Sequence, residues 1–95
     1  MYSIGKVLKL LRKCTVMTQK QLAKELGISQ SYISKIEKCI ASPDIDLLDK
    51  YELIFGVSAS TLLQFRKLSC EKFIVLELQK CIDWGKIDVL MFDKE

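Results

Sequence analysis

Gln30, Ser31, Ser34, Lys35 and Lys38 fall within nine residues of one another, in the stretch MTQKQLAKELGISQSYISKIEK that begins at Met17. Together they offer amide and hydroxyl hydrogen-bonding groups beside two positive charges. This is the chemistry of non-covalent recognition of a polar, anionic surface. A glutamine amide can pair two-fold with adenine N7 and N6, and a lysine can meet guanine O6 and N7, each pairing contributing about 1–3 kcal/mol of discrimination. Gln30, at the start of its helix, is the residue best placed for such readout. Lys20, Lys24 and Lys38 are candidates for phosphate contacts, which orient a protein on DNA and give it salt-dependent affinity. Tyr32 stands at the edge of this face. A lone glutamine would carry no such meaning; its setting does.

That setting is two short helices around a turn. Thr18 is placed to cap the first, and Gln21, three residues on, completes a Thr-x-x-Gln capping box. Leu22, Ala23 and Leu26 supply its buried side. Gly27 ends it, because the turn wants positive φ and glycine takes that without a Cβ clash. Ser29 caps the next helix, whose Ile33 and Ile36 point inward. Residues 29–38 therefore form the helix that presents the polar face.

Charge is distributed in keeping with a polyanionic partner. The net charge is +3, but residues 1–42 hold Lys6, Lys9, Arg12, Lys13, Lys20, Lys24, Lys35 and Lys38 against Glu25 and Glu37 alone, giving +6. Residues 43–68 give −1 and residues 69–95 give −2. The positive end coincides with the helix pair, as expected for a surface that faces nucleic acid. A solvated basic helix surface is the competing account of charge by itself.

Other function classes find little support. The chain has no histidine, no glycine loop to cradle phosphate, and no cysteine or serine beside a base, so no catalytic residues are expected. Cys14, Cys39, Cys70 and Cys81 lie far apart, with no Cys-x-x-Cys. Reduced, packed thiols are expected, with no metal and no cofactor. No run approaches the roughly 18 apolar residues of a membrane span, and the N-terminus lacks a signal-peptide design. The expected location is the cytoplasm.

The remaining chain, 95 residues in all, reads as an all-α domain. A first helix is expected from about Ser3 to Lys13, with Ile4, Val7, Leu8 and Leu11 on one side. Val16 and Met17 are then expected to pack across the turn. After a loop at Cys39–Ser42, Pro43-Asp44 opens a fourth helix carrying Leu47, Leu48, Tyr51, Leu53, Ile54 and Phe55, and Gly56 stops it. Ser58 caps a short fifth helix with Leu62, Leu63 and Phe65. Residues 1–66 would form the DNA-binding unit and residues 67–95 a C-terminal extension. The extension reads as a helix from Cys70 to Trp84 broken by Gly85, followed at residues 86–93 by a helical turn or a short strand. It is more apolar than a cap needs. Phe73, Leu76, Ile82, Trp84, Leu90 and Phe92 are the candidate dimerisation residues; completion of the chain's own core is the alternative use of the same helix.

In order along the chain, Leu11-Arg12, Met17-Thr18-Gln19, Gln21-Leu22-Ala23, Leu26-Gly27-Ile28-Ser29, Ile33-Ser34-Lys35-Ile36-Glu37, Pro43, Phe55-Gly56-Val57-Ser58 and Leu62-Leu63 resemble the Cro/repressor type of helix-turn-helix domain. The resemblance covers about Ile4 to Leu63. It implies a five-helix, repressor-like fold, to which the C-terminal helical extension is added. It also implies that Gln19 contacts a DNA phosphate and braces the recognition helix, that Gln30, Ser31 and Lys35 reach base edges, and that Ser29 and Ser34 lie at phosphate or base neighbours. Arg12 and Glu37 match a partly buried, structural ion pair. The chain departs from the family pattern at Cys39, where glycine is frequent, in a loop without Lys or Arg, and at Glu52, where a small residue is usual.

The function so implied is a sequence-specific transcriptional regulator, a repressor by type. It would bind double-stranded DNA as a homodimer on a palindromic operator, with half-sites about 34 Å apart. No membrane or small-molecule partner is expected, and a regulatory protein is a further candidate partner. The alternative is a protein-interaction module or antirepressor that keeps the fold and works through its apolar tail.

Overall fold

The computed structural model describes residues 3–68 and 70–87. Six helices follow one another: α1 (Ile4–Cys14), α2 (Gln19–Leu26), α3 (Gln30–Glu37), α4 (Ile45–Phe55), α5 (Ala59–Phe65) and α6 (Glu71–Cys81). A further helical turn covers residues 84–87. No strand occurs among the described residues.

Local chemistry sets most of the boundaries. The side chains of Ser3, Thr18, Ser29, Asp44 and Ser58 each accept a backbone N–H at the start of α1 to α5 in turn. Each such cap satisfies an N–H group that a helix cannot pair internally. Gly27 and Gly56 end α2 and α4 in the left-handed conformation, at φ 71° and 75°. Where a cap is missing, at Cys70, α6 begins without a side-chain hydrogen bond.

Packing brings α1 to the centre. α1 lies against α3, α5 and α6, while α2 packs on α3 and α4. Val7, Leu8 and Leu11 of α1 join Leu22, Ile33, Ile36, Tyr51, Phe55 and Leu62 in a core from which water is excluded. Ile74, Leu78, Ile82 and Ile87 belong to the same continuous cluster. α1 comes close to α3 at Gly5, where an added Cβ would meet the Ile36 carbonyl.

Three expectations need correction. Val16 does not pack across the turn: it sits at φ 60° and is 81% exposed, while Thr15 turns inward and bonds the Arg12 carbonyl. The C-terminal helix breaks at Ile82–Asp83, ahead of Gly85, because the Asp83 N–H leaves the helix to bond the Phe55 carbonyl at 2.8 Å. Gly56 permits this approach, since a Cβ there would collide with the Asp83 side chain. Ile82, expected on a dimer surface, is buried in the chain's own core, because that same docking turns it inward.

Candidate nucleic-acid interface

The capping box at the head of α2 is complete. The Gln21 N–H bonds Thr18 Oγ1 at 3.0 Å, and the Thr18 N–H bonds Gln21 Oε1 at 2.9 Å. At the other end of α2, the Ile28 N–H reaches back to the Ala23 carbonyl. The chain then re-enters a helix at once, with Ser29 Oγ accepting from the Tyr32 N–H at 3.1 Å. Leu22, Ala23, Leu26, Ile33 and Ile36 are all buried. The turn is thus fixed by caps on both sides and by a shared apolar face.

The outer face of α3 carries Gln30, Ser31 and Lys35, all exposed, with Lys38 exposed just past its end and Tyr32 and Ser34 half-buried. Among the described residues, the side chains of Gln30, Ser31 and Lys35 have no partner within the chain. Ser29, Lys20 and Lys24 are exposed on the adjoining surface of the turn and α2. The candidate base-reading and phosphate residues on α2, α3 and the turn between them are therefore open to solvent, wholly or, at Ser34 and Gln19, in part.

Behind that surface lies a charged brace. Arg12 Nε donates to Glu37 Oε2 at 2.7 Å and Arg12 Nη2 donates to Glu37 Oε1 at 2.9 Å, a two-pronged pair whose side chains are 11% and 2% exposed. Arg12 Nη1 donates to the Met17 carbonyl at 2.8 Å. Gln19 Nε2 donates to Glu37 Oε1 at 3.0 Å. Gln19, half-buried at the head of α2, is thus tied to the last residue of α3.

Tyr51 stacks on Phe55 beneath this brace, with ring centroids 5.9 Å apart. Its hydroxyl is buried without a hydrogen-bond partner among the described residues. Burial pushes the phenol's pKa well above its ordinary value, and the Glu37 carboxylate adds to the rise, against an opposing pull from Arg12. Burial also raises the Cys14 thiol above its ordinary value, which disfavours the thiolate. Among the described residues no three metal-ligating side chains converge, and no helix is long and apolar enough to cross a membrane.

Cys39 follows α3 in the left-handed region, at φ 65°. The backbone thus keeps the conformation that glycine favours at this place although the side chain is larger. The loop beyond it exposes Ile40 and Ser42 and holds Ala41 half-buried, so it offers no cation to a phosphate.

The helix-turn-helix family profile matches residues 6–62. This chain belongs to the Cro/repressor type of helix-turn-helix family. The family is one of DNA-binding proteins, not of enzymes. Over 70 residues the chain is 34% identical to the HTH-type transcriptional regulator SlrR of Bacillus subtilis, covering 73% of this chain and 46% of that protein. It is 36% identical over 61 residues to the HTH-type transcriptional regulator SinR of Bacillus subtilis and of Bacillus licheniformis, covering 63% of this chain and 55% of each. The chain therefore spans about half the length of these curated relatives. No solved structure gives a significant match.

The C-terminal candidates divide. Phe73 and Leu76 are 62% and 54% exposed on α6, and Trp84 is 39% exposed, with its indole N–H bonded to the Gln79 carbonyl. Ile82 is internal, as described above, and Leu90 and Phe92 lie outside the described residues. α6 thus has two apolar faces: Ile74 and Leu78 cover α1, and Phe73 and Leu76 face away. The inward face also accounts for the burial of Leu10, which the pattern of α1 leaves off its apolar side.

Proposed function

We propose that this chain is a sequence-specific regulator of transcription that inserts α3 into the major groove of an operator. One observation carries the reading. The exposed face of a capped, glycine-turned helix pair holds Gln30, Ser31 and Lys35 without partners among the described residues, while Arg12 and Glu37 lock the pair from within and Gln19 is tied to them. Rigid presentation of unsatisfied polar groups is what direct readout of base edges requires. Residues near the start of such a helix reach the bases, which puts Gln30 and Ser31 foremost. Lys20, Lys24 and Lys38, with Ser29, Ser34 and Gln19, would flank them on phosphates.

The names of the relatives, both transcriptional regulators, support regulation as the purpose of binding. Repression follows from the simplest mechanism, occupation of the operator. The outward face of α6, with Phe73, Leu76 and Trp84, is the surface on which two copies would meet, giving a homodimer on a palindromic site.

Selection of bound sequences from a random duplex pool tests this reading. The expected result is a two-fold symmetric motif with half-site centres one helical turn apart. Failure of micromolar protein to bind any duplex at low salt would overturn it. That outcome would favour a protein-interaction module working through the exposed face of α6.

A further inference from the structure

α1 carries a basic feature that the proposed interface leaves unused. Lys6, Lys9 and Lys13 recur at three- and four-residue spacing, which places them along one side of the helix. With Leu10, Glu37 and Glu71 they line a cleft of about 310 Å³ where α1, the end of α3 and the start of α6 meet. Both oxygens of Glu37 are already engaged, Oε2 by Arg12 and Oε1 by Arg12 and Gln19. Its charge is thus matched from within. Lys6 is engaged within the chain, but Lys9 and Lys13 make no ion pair among the described residues and are exposed. Glu71 is the acidic group left to oppose them.

We propose that this cleft holds the phosphodiester backbone of duplex DNA beyond the part covered by α3, with Lys9 and Lys13 as its charged contacts and Glu71 as an antagonist. The proposal rests on the DNA-binding reading above. Position supports it: Glu37 forms a wall of the cleft and also accepts the hydrogen bond of Gln19, so the cleft borders the brace behind the α2–α3 surface. The lysines also belong to the same basic segment, residues 1–42, as α2 and α3. Chemistry supports it too, because lysine ammoniums are point charges suited to phosphate oxygens and give attraction without base preference. The start of α6 shapes the cleft, which gives the C-terminal extension a part in DNA binding as well as in packing.

The test compares the full chain with Lys9→Gln/Lys13→Gln, Glu71→Gln and the control Lys80→Gln, whose lysine pairs with Glu77 on α6. Anisotropy titrations on a random duplex and on a selected operator are repeated across a salt series. The double variant should lower the slope of log affinity against log salt by about 1.8, since each phosphate contact contributes about 0.9. Both duplexes should lose affinity by the same factor, on the order of tenfold. Glu71→Gln should raise affinity for both, and Lys80→Gln should change neither. An unchanged slope in a double variant that melts like the parent would overturn the cleft assignment while leaving DNA binding by α3 intact. So would a double variant that loses only binding to polyglutamate, which would mark the cleft as a site for acidic peptides. A parent chain that binds no duplex would overturn both readings together.

Discussion

Gln19 and Glu37 are joined across the helix pair by a 3.0 Å hydrogen bond from Nε2 to Oε1, on the same carboxylate that receives both prongs of Arg12. The head of α2, the end of α3 and the C-terminal part of α1 are therefore fixed by one nearly buried carboxylate. Because Arg12 also bonds the Met17 carbonyl, the turn between α1 and α2 is tied to the same point. The orientation of α3 is set by this brace together with the apolar contacts of Ile33 and Ile36.

Glu37→Ala should cost about 3–5 kcal/mol, because it strands the Arg12 guanidinium in a nearly dry site. A loss of that size lowers the melting temperature by more than about 12 °C, at roughly 4–8 °C per kcal/mol for a domain this small. Replacing both partners, as Arg12→Met/Glu37→Leu, should recover much of the loss, since no unpaired charge remains. Calorimetric melts of the three proteins decide the matter. A Glu37→Ala melt within 3 °C of the parent would contradict the brace.

Most of the helix pair was legible because its signals are local. A capping residue, its partner three positions on and a glycine at the turn each act within a few residues, so Thr18, Gln21, Gly27 and Ser29 announce the structure they form. The pairing of Arg12 with Glu37 came from resemblance, since nothing local links residues twenty-five positions apart. The break at Ile82–Asp83 was not legible. It is set by the Phe55 carbonyl and the space above Gly56, and these are brought near only once the chain has folded. The two-sided use of α6 escaped for the same reason, as an apolar count does not say which side meets α1. The lysine cleft needs Glu71 and Glu37 brought beside α1, a juxtaposition absent from the linear order.

Val16 holds a conformation its side chain does not favour. At φ 60° a β-branched residue is strained, and at 81% exposure it gains little packing in return. Asparagine tolerates the left-handed region. Val16→Asn should therefore stabilise the fold by about 1 kcal/mol, seen as a melting temperature raised by roughly 4–8 °C. A melt lower than the parent's would show that Val16 contributes something its exposure hides.

Tyr51 should make the fold sensitive to alkali. Its folded-state pKa is raised, by burial first and by Glu37 second, so the folded state keeps a proton that the unfolded chain releases above about pH 10. The stabilisation is complete below that pH and is lost as pH climbs toward the raised folded value. Tyr51→Phe removes a buried hydroxyl that has no partner among the described residues. It should leave stability at pH 7 unchanged or raise it by up to about 1 kcal/mol. Denaturant titrations at pH 7 and pH 10.5 should show a shallower alkaline loss for the variant. An equal loss in both proteins would remove Tyr51 as the cause.

Base reading and phosphate anchoring separate by what each loses. Gln30→Ala or Lys35→Ala should reduce operator affinity by about 1–3 kcal/mol and relax the preferred sequence, since each would remove a proposed base-edge contact. Lys24→Ala should weaken binding to operator and random duplex alike and lower the salt slope by about 1. All three side chains are exposed, so the melts should not move. Gel-shift titrations against operator and scrambled duplex distinguish the two behaviours. Unchanged operator affinity in both α3 variants would remove the assigned readout.

The outward face of α6 tests the proposed dimer, in which two copies of α3 would lie one DNA turn apart. Phe73 and Leu76 leave large apolar side chains in water, bordered by a groove of about 650 Å³ along Glu71, Lys72, Val75, Leu76 and Gln79 and another of about 610 Å³ reaching Phe65 and Leu68 of the α5 side. A specific dimer interface buries about 1,200–2,000 Å², and a self-complementary patch must centre on residues such as these. Phe73→Ser/Leu76→Ser should thus yield a monomer by sedimentation at micromolar concentration, with the helical spectrum of the parent. Its operator affinity should fall far more than its affinity for a single half-site, because coupling between the two halves is lost. Leu78→Ser, on the inward face where no part of the side chain reaches water, should instead unfold the chain. A parent protein that sediments as a monomer would refute dimerisation through α6, and would leave Phe73 and Leu76 to a partner of another kind.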